Sequence, residues 1–284
     1  MSQRAASRTA VATAYMRATH QLLDARPLIL EDPVAVPLLG HCAERRIREA
    51  AERYRTPGAL ALRSHVVLRS RFAEDRLSAA VQRGISQYVI VGAGFDTFAL
   101  RQPRWADSLT VIEADHPGSQ AAKRSRIAAA GMQIPANVVF AGIDFEQESL
   151  RDGLLRKGIS LAKPTFFSWL GVSMYLTEPA IDATLKSMAA FAEGSEVVLT
   201  FLQPPLPQPH ASQSGAARLA RHVAESGEPF VSYFDQAACE QKLLAAGFSS
   251  VEFLTPETAN SRYFQQRPAD LPLPQRTSIA CALR

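Results

Sequence analysis

The apolar positions in the first third of the chain recur with the period of an α-helix. Between residues 59 and 83, Val66, Phe72 and Leu77 fall near one side of the predicted helix, and Gly84 follows its end. The predicted helices of this region span residues 11–26, 44–55 and 59–83. The first third of the chain is therefore expected to be helical throughout.

From residue 87 onward, short apolar runs alternate with helical stretches. The predicted strands span residues 87–91, 109–113, 138–141, 165–169, 196–202, 250–254 and 277–283. The helical stretches among them include residues 119–130, 178–191 and 235–246. Apolar strands that alternate with helices are typical of a mostly parallel sheet with helices on both faces. The sequence therefore predicts an α/β fold with a sheet of about seven strands.

The composition is that of a globular chain. Of 284 residues, 47% are hydrophobic and 20% are charged, which suffices for a sizeable core and excludes a disordered protein. No uncharged apolar run reaches the roughly 18 residues of a membrane span, and no apolar block follows Arg4 and Arg8 as in a secretory signal. Three widely spaced cysteines form neither a disulfide framework nor a metal motif. A cytoplasmic protein without membrane association is expected.

The formal net charge of +4 is concentrated at the N-terminal end. Residues 1–100 contain 14 arginines and 9 acidic residues, whereas basic and acidic residues nearly balance in the remainder. Such a segment is compatible with an anionic ligand or with a solvated helix face. Nucleic acid is not an expected partner, because the arginine-rich stretch 45–83 lacks the series of interleaved aromatic residues that stacking on bases needs.

The sharpest local signal is the turn Gly92-Ala-Gly94-Phe-Asp-Thr97, which follows the first predicted strand and precedes a predicted helix start. Glycines at both positions let the backbone turn tightly and approach a ligand without an intervening Cβ. A dinucleotide fingerprint would have a third glycine at position 97, where this chain has threonine. The turn therefore fits a ligand that lacks a pyrophosphate better than it fits NAD or FAD.

Two acidic residues, Glu113 and Asp115, stand at the end of the second predicted strand, 21 and 23 positions after Gly92. A carboxylate about 20 residues past a glycine turn is placed to bind ribose hydroxyls. Strand alternation puts both on one face, so one is expected to face the ligand and the other to be structural. Capping of the following helix is the alternative for both.

Further candidates follow the next two strands. Asp144 and Phe145 come just after the third strand, where they can contact an adenine, although Asp144 can equally cap a helix. The segment 166–176 contains the end of the fourth strand. Ligands of open α/β sheets bind beyond the carboxyl ends of the strands, so all four segments are expected at one site.

The motifs together resemble those of a known family. Besides the glycine turn and Glu-x-Asp-x-Pro at 113–117, the chain carries Arg8-Thr-Ala-Val, Glu31-Asp-Pro33, Met174-Tyr-Leu176 and Ser232-Tyr-Phe-Asp235. It resembles the class I S-adenosylmethionine-dependent methyltransferases, specifically the leucine carboxyl methyltransferase-like family with its uncharacterised actinobacterial-type branch. The resemblance covers nearly the whole chain. It implies a Rossmann-like fold, S-adenosylmethionine as cofactor and S-adenosylhomocysteine as product.

The resemblance also implies roles at the cofactor. Gly92 and Gly94 would pass under its methionine part, Asp115 would bind the ribose, and Asp144 and Phe145 would bracket the adenine.

An arginine of segment 68–71 would meet the cofactor's carboxylate. Arg69 fits slightly better, Arg71 stays an alternative, and Arg17 is a further candidate. The chain departs from the family at Leu170, where members that act on a protein phosphatase carry glutamate. That departure removes one expected cofactor contact and disfavours the phosphatase as substrate.

Methyl transfer from a sulfonium is an in-line displacement, so the enzyme mainly aligns the reactants and excludes water. A carboxylate acceptor is already ionised and needs a cationic or hydrogen-bonding clamp, whereas a hydroxyl acceptor gains from a base. The candidate acceptor-side residues are His116, Tyr175, Arg262 and Tyr263, with His65 beside Arg69 as a further one. Helix capping, core packing or solvent exposure is the alternative for each. No HExxH, cysteine cluster or other metal motif is present, so no metal is expected.

A single methyltransferase domain is predicted. Its parts are a helical N-terminal cap (1–84), the cofactor-binding α/β core (85–202), a lid insertion (203–234) and C-terminal elements of the core (235–284). The predicted function is O-methylation of a carboxyl or hydroxyl group on a small molecule, in secondary metabolism, by a monomer or homodimer. The alternatives are methylation of a protein C-terminal carboxyl group and a catalytically inactive, cofactor-binding partner subunit.

Overall fold

Seven strands form one sheet in the order β3-β2-β1-β4-β5-β7-β6. The structure, a computed structural model, describes residues 7–145, 147–205, 220–221, 223–225 and 227–284. The strands are β1 (Gln87–Val91), β2 (Thr110–Asp115), β3 (Val138–Gly142), β4 (Thr165–Trp169), β5 (Glu196–Thr200), β6 (Ser250–Phe253) and β7 (Ile279–Leu283). β7 runs antiparallel to both of its neighbours, β5 and β6, and the other strand pairs are parallel. This is the predicted α/β, Rossmann-like sheet.

Helices cover both faces of the sheet. They are α1 (Arg8–Leu23), α2 (Ala35–Leu38), α3 (Ala43–Glu49), α4 (Ala51–Tyr54), α5 (Pro57–Gln82), α6 (Pro117–Ala129), α7 (Leu150–Arg156), α8 (Glu178–Ala189), α9 (Gln236–Ala246) and α10 (Pro256–Ala259). Strand alternation sends Tyr88 and Ile90 of β1 into one core and Val89 and Val91 into the other. β1, β2, β4 and β5 are therefore buried between two apolar layers, whereas β3, at the edge of the sheet, is only partly buried.

The predicted elements differ from the observed ones mainly at their ends. α1 begins three residues early because the Ser7 side chain caps it by accepting a hydrogen bond from the Ala10 backbone N–H. The helix expected over 44–55 is interrupted at Ala50, whose φ of −98° and ψ of 19° are not helical. Residues 7–84 nevertheless hold five helices and no strand, as the apolar spacing predicts.

The helix expected directly after the glycine turn is replaced by two 3₁₀ turns, Phe98–Leu100 and Arg104–Ala106. The Asp96 side chain accepts from the Phe98 backbone N–H at 2.8 Å and closes a local turn. Pro103 then lacks the N–H that a continuing helix needs.

Half of the predicted lid, residues 203–234, falls on residues 206–219, 222 and 226, which lie outside the described residues. Its role stays a prediction. Within the described ranges, no helix combines the length and apolarity required to cross a membrane.

A buried ion pair joins the two long helices of the N-terminal cap. The Asp24 carboxylate follows α1 and accepts from Arg63 of α5 through both oxygens, at 2.7 and 2.8 Å. His20 Nε2 accepts from the Leu30 backbone N–H, so His20 Nδ1 carries a hydrogen and donates it to Asp24 at 2.7 Å. Burial acts to raise the pKa of Asp24, but the hydrogen bonds from His20 and Arg63 outweigh it and hold this pKa below its ordinary value. The carboxylate is therefore charged and paired inside the cap.

Asp24→Asn is expected to destabilise the protein by about 3–5 kcal/mol, because it leaves the Arg63 guanidinium buried without a carboxylate. Denaturant unfolding monitored by circular dichroism measures the change. Since the folded pKa of Asp24 is depressed, its contribution is complete above the ordinary value of 3.8 and is lost as pH falls below it. The exposed Asp107→Asn is the matched control. Equal stability of the two variants would contradict the assignment.

Candidate functional site

The glycine turn follows the carboxyl end of β1 and has a backbone conformation that residues other than glycine rarely adopt. Gly92 and Gly94 have φ values of 67° and 48°. A Cβ on Gly92 would lie 2.5 Å from Val172 Cγ2, and one on Gly94 would lie 3.2 Å from the Cβ of Ala10. The turn therefore passes closely between α1 and the segment after β4, and Gly92 leaves no room for a side chain.

The N-terminal cap holds this turn through buried polar contacts. Arg17 of α1 donates to the Phe95 carbonyl, and Thr97 donates to the Asp32 carboxylate at 2.6 Å. Asp32 has no exposed surface and also lies 3.6 Å from Arg17 Nε and 3.4 Å from Arg101 Nε. Arg17, a sequence candidate for the cofactor's carboxylate, is thus engaged in shaping the turn.

Asp115 ends β2 directly beside the turn. One of its oxygens accepts from the Gly94 N–H at 2.6 Å and the other from the His116 N–H at 2.7 Å. Burial raises the pKa of Asp115, against the lowering effect of these two hydrogen bonds. A carboxylate has about four acceptor positions, so further donors can still bind. Asp115 is therefore placed for a ligand with hydroxyl groups.

Glu113 lies two positions earlier on the same strand and has the structural role. Its carboxylate forms a buried ion pair with Lys123 of α6, at 2.6 Å. Burial raises the pKa of Glu113, and the Lys123 cation opposes that effect. The sequence left open which acid is structural, and the structure assigns this role to Glu113.

Arg69 of α5 carries a guanidinium that forms no ion pair within 4 Å with any carboxylate of the described residues, although the charge of Asp96 acts on it from farther away. It lies over Gly171, where a Cβ would be 2.6 Å from Arg69 Nη1. Its Nε is buried without a hydrogen-bond partner among the described residues. Burial and the neighbouring Arg17 lower the pKa of Arg69 to about 10, so it remains a cation at neutral pH. An unpaired cation enclosed by protein is the arrangement that a ligand carboxylate requires.

Arg71 occupies a different side of α5. Two residues along a helix correspond to a rotation of about 200°, and Arg71 forms an ion pair with Asp75 at 2.8 Å. It also donates to the Ile29 carbonyl. Between the two arginines that the sequence left open, the geometry therefore favours Arg69 as the carboxylate ligand.

Tyr175 lies in a 3₁₀ turn, Ser173–Tyr175, that follows β4. Its ring packs against Phe230 with centroids 5.5 Å apart. Burial raises the pKa of its hydroxyl, which has Thr9, Glu228 and Arg69 as neighbours. Of the acceptor-side candidates His116, Tyr175, Arg262 and Tyr263, Tyr175 is the one whose hydroxyl has Arg69 as a neighbour.

The adenine candidates follow β3 at the same edge. The register pairs Gly142 of β3 with Asp115 of β2, which puts Asp144 two residues beyond the ribose candidate. Asp144 accepts from Gln147 Nε2 at 3.0 Å, and Phe145 packs against the apolar core. Their spacing along the edge is compatible with the predicted adenine contact.

The remaining candidates have other contacts. His116 is the N-cap of α6, where its Nδ1 accepts from the Gly118 N–H at 3.1 Å. His65 lies one helical turn before Arg69, and burial together with Arg69 lowers its pKa to about 3. Its imidazole is therefore neutral at ordinary pH. Leu170 packs against the core.

The structure does not bring Arg262 and Tyr263 to this site, which corrects the sequence expectation. Both contact Asp75 of α5, at 3.2 Å from Arg262 and 2.9 Å from the Tyr263 hydroxyl. Asp75 is six residues after Arg69, about 9 Å along the helix. Arg76, the next residue, pairs with Glu196 at the start of β5, so α5 runs from the carboxyl edge toward the amino edge. Arg262 and Tyr263 therefore tie the C-terminal part of the chain to α5.

Sequence reasoning assigned no individual role to Thr9, Glu228 or Phe230, which are neighbours of Tyr175. The Glu228 carboxylate accepts from the Thr9 N–H at 3.1 Å and from the Thr9 hydroxyl. No local sequence motif predicts the contact between Thr9 and Glu228, because the two residues are 219 positions apart. Across the residues with described placement, no group of His, Cys, Asp and Glu has the arrangement of a metal site.

The model of the family "Leucine carboxyl methyltransferase" matches residues 10–189. A Bacillus subtilis protein, YktD, named as an S-adenosyl-L-methionine-dependent methyltransferase, is 29% identical over 292 residues and covers 95% of each chain. A Parafrankia protein with the same description is 31% identical over 203 residues, covering 68% of this chain and 62% of its own length.

Solved structures share the fold. A protein from Thermobifida fusca, described as a methyltransferase, has a TM-score of 0.55 at 19% identity and covers 87% of this chain and 92% of its own. A DUF574 family protein from Streptomyces avermitilis also has a TM-score of 0.55, at 15% identity, with 96% and 97% covered. These similarities support the Rossmann-like methyltransferase architecture.

Replacement of Arg69 by methionine is expected to weaken S-adenosylmethionine binding about 10- to 100-fold, the equivalent of the roughly 1.5–3 kcal/mol of a hydrogen bond to a charged group. Isothermal titration calorimetry measures the affinity. Arg71→Met removes the same charge two residues away and should leave binding unchanged. A loss confined to Arg71→Met would reassign the carboxylate contact.

Asp115→Asn is expected to weaken the same titration about 10-fold or more, because an amide NH₂ would face a backbone N–H that now donates to a carboxylate oxygen. Glu113→Gln is the structural counterpart: it should lower the thermal unfolding temperature yet leave the affinity of the folded protein intact. Equal affinities for Asp115→Asn and the unmodified protein would contradict the ribose assignment.

Proposed function

The chain belongs to the leucine carboxyl methyltransferase family, and from this premise we propose that this S-adenosylmethionine-dependent methyltransferase methylates an oxygen atom, carboxyl or hydroxyl, of a small molecule. S-adenosylmethionine is the methyl donor, and S-adenosylhomocysteine is the product.

The residues described above fit this cofactor. In the proposal, Arg69 binds its carboxylate, the backbone of Gly92 and Gly94 passes under the methionine part, and Asp115 binds the ribose. Asp144 and Phe145 flank the adenine. The bound cofactor supplies an electrophilic methyl group on a sulfonium. The protein contributes alignment and exclusion of water, which together lower a barrier by up to about 7–11 kcal/mol.

The observation that carries the proposal is the covered acceptor side of the site. Glu228 is hydrogen-bonded to the start of α1, and the Val231 N–H donates to the Met174 carbonyl at 2.7 Å. Tyr175 packs beneath Phe230. These contacts hold the segment 228–231 against the 3₁₀ turn that follows β4 and against the start of α1. Such a cover favours a small acceptor over a residue on a folded protein.

Leu170 supports the same choice. It stands where family members that act on a protein phosphatase carry glutamate, and its side chain packs into the apolar core. Arg69, which lies against the next residue, then has no acidic neighbour from this segment. Both features disfavour a protein phosphatase as the methyl acceptor of this chain.

The proposal predicts that the protein transfers a labelled methyl group from S-adenosylmethionine to at least one member of a panel of carboxylic acids, phenols and alcohols. Mass spectrometry identifies the product, and alkali separates a labile methyl ester from a stable methyl ether. A peptide that ends in a leucine carboxylate is included as the competing acceptor.

Three results would contradict the proposal in different ways. Label in the peptide alone would assign a protein C-terminal carboxyl methyltransferase. Tight cofactor binding without transfer to any acceptor would assign a catalytically inactive, cofactor-binding subunit. Absence of cofactor binding would contradict the proposed function and the alternatives alike, because each of them requires S-adenosylmethionine.

A further inference from the structure

Gly171, the second residue after β4, lies directly against the terminal end of the Arg69 side chain. A Cβ on Gly171 would be 2.6 Å from Arg69 Nη1, 2.8 Å from Nη2 and 2.9 Å from Cζ. All three distances are shorter than real Cβ contacts, so the guanidinium occupies the place where a side chain of residue 171 would begin. Glycine at this position therefore leaves the guanidinium room for its observed location.

The backbone of Gly171 is held by Thr200, the last residue of β5. The Gly171 N–H donates to Thr200 Oγ1 at 2.7 Å, and the Ser173 hydroxyl donates to the Thr200 carbonyl, also at 2.7 Å. Thr200 has no exposed surface and is paired with Ile279 of β7. A residue fixed within the sheet thus holds the segment 171–173 at two points.

Val172, between these two points, contacts the glycine turn. Its Cγ2 lies 2.5 Å from the place that a Cβ on Gly92 would take. Consecutive residues therefore contact Arg69, through Gly171, and the glycine turn, through Val172. The segment 171–173 sets the position of Arg69 relative to the turn that, in the proposed function, passes under the methionine part of the cofactor.

The orientation of Arg69 matters because a guanidinium is a rigid, planar fork. It binds a carboxylate most strongly through two parallel N–H···O bonds, which form only when the fork faces the carboxylate squarely. The Nε of Arg69 is buried without a hydrogen-bond partner among the described residues. The contact with Gly171 therefore helps to define the direction in which the fork points.

We propose that Gly171 and Thr200 are positioning residues, which hold the Arg69 guanidinium in the orientation that binds the cofactor's carboxylate. This inference rests on the proposed function, in which that carboxylate belongs to S-adenosylmethionine. Neither residue has to contact the cofactor. Gly171 acts because it has no side chain, and Thr200 acts through the Gly171 N–H. A methyl group at residue 171 would displace the end of a flexible side chain rather than backbone, so the fold tolerates it while the fork moves.

The competing explanation is that Gly171 serves the backbone alone, since its φ of 77° is rare for residues with a side chain. Gly158 has the same φ of 77°, but a Cβ there would meet nothing within 4 Å. Gly158→Ala therefore introduces the same kind of backbone strain without the contact, and it is the matched control for Gly171→Ala. Thr200→Val removes the acceptor of the Gly171 N–H, whereas Thr200→Ser retains it.

The experiment measures two affinities of each folded variant by calorimetry. One ligand is S-adenosylmethionine, and the other is decarboxylated S-adenosylmethionine, which keeps the sulfonium, ribose and adenine but lacks the carboxylate. Gly171→Ala and Thr200→Val should each weaken binding of S-adenosylmethionine about 10-fold or more, because hydrogen bonds to a charged group are lost or bent. Their affinity for the decarboxylated ligand should stay within about twofold of that of the unmodified protein. Thr200→Ser and Gly158→Ala should retain both affinities.

A double variant identifies the side chain through which Gly171 acts. Arg69→Met has no guanidinium to displace, so adding Gly171→Ala to it should weaken binding of S-adenosylmethionine no further. Two independent effects would add instead.

The outcomes separate the inference from the proposed function. Unchanged affinity for S-adenosylmethionine in Gly171→Ala and Thr200→Val would overturn the inference, as would additive losses in the double variant. Equal losses for the two ligands, or a loss in Gly158→Ala equal to that in Gly171→Ala, would assign these residues a purely structural role. In each of these cases the proposed function stands. An unmodified protein that does not bind S-adenosylmethionine would overturn the proposed function, and the inference with it.

Discussion

The buried Asp32 carboxylate is the contact on which the site depends. It has no exposed surface, and it accepts from Thr97 of the glycine turn while lying between Arg17 of α1 and Arg101. A buried carboxylate is tolerated only with such partners, and loss of one partner typically costs about 3–5 kcal/mol. The helical cap is therefore bound to the sheet at the turn that would carry the cofactor, and the two cannot separate without exposing this charge cluster.

This constraint explains why one arginine of the basic N-terminal segment is available to a ligand. Arg17 and Arg101 are engaged with Asp32, and Arg63 with Asp24. Arg71 pairs with Asp75 on the outer side of α5. Arg69, by contrast, is enclosed, its Nε has no hydrogen-bond partner among the described residues, and Asp96 acts on it only as a nearby charge. Because a buried charge without an ion-pair partner is costly, this arrangement supports the proposal that Arg69 binds the cofactor's carboxylate.

The sequence predicted those parts of the site that depend on local order. The glycine turn and Asp115 were found because a strand, two glycines and a strand-end acid occur at fixed spacing, and the structure puts them side by side. Arg69 and Arg71 could not be separated from sequence, since only the rotation of α5 against the sheet distinguishes them. The expectation for Arg262 failed because a single contact with Asp75, 187 positions away, decides its place. The contact of Thr9 with Glu228 was not predicted for the same reason.

α1 contacts both sides of the proposed reaction centre. Ala10 packs on Gly94 and Arg17 donates to the Phe95 carbonyl, which sets the helix against the cofactor turn. Thr9 contacts Glu228 and neighbours Tyr175 on the acceptor side. One helix of 16 residues thus fixes the distance between the two halves of the site. A misplacement of about 1 Å can slow an aligned displacement about 100-fold, so the hydrogen bonds at the start of α1 bear on the alignment of the reactants.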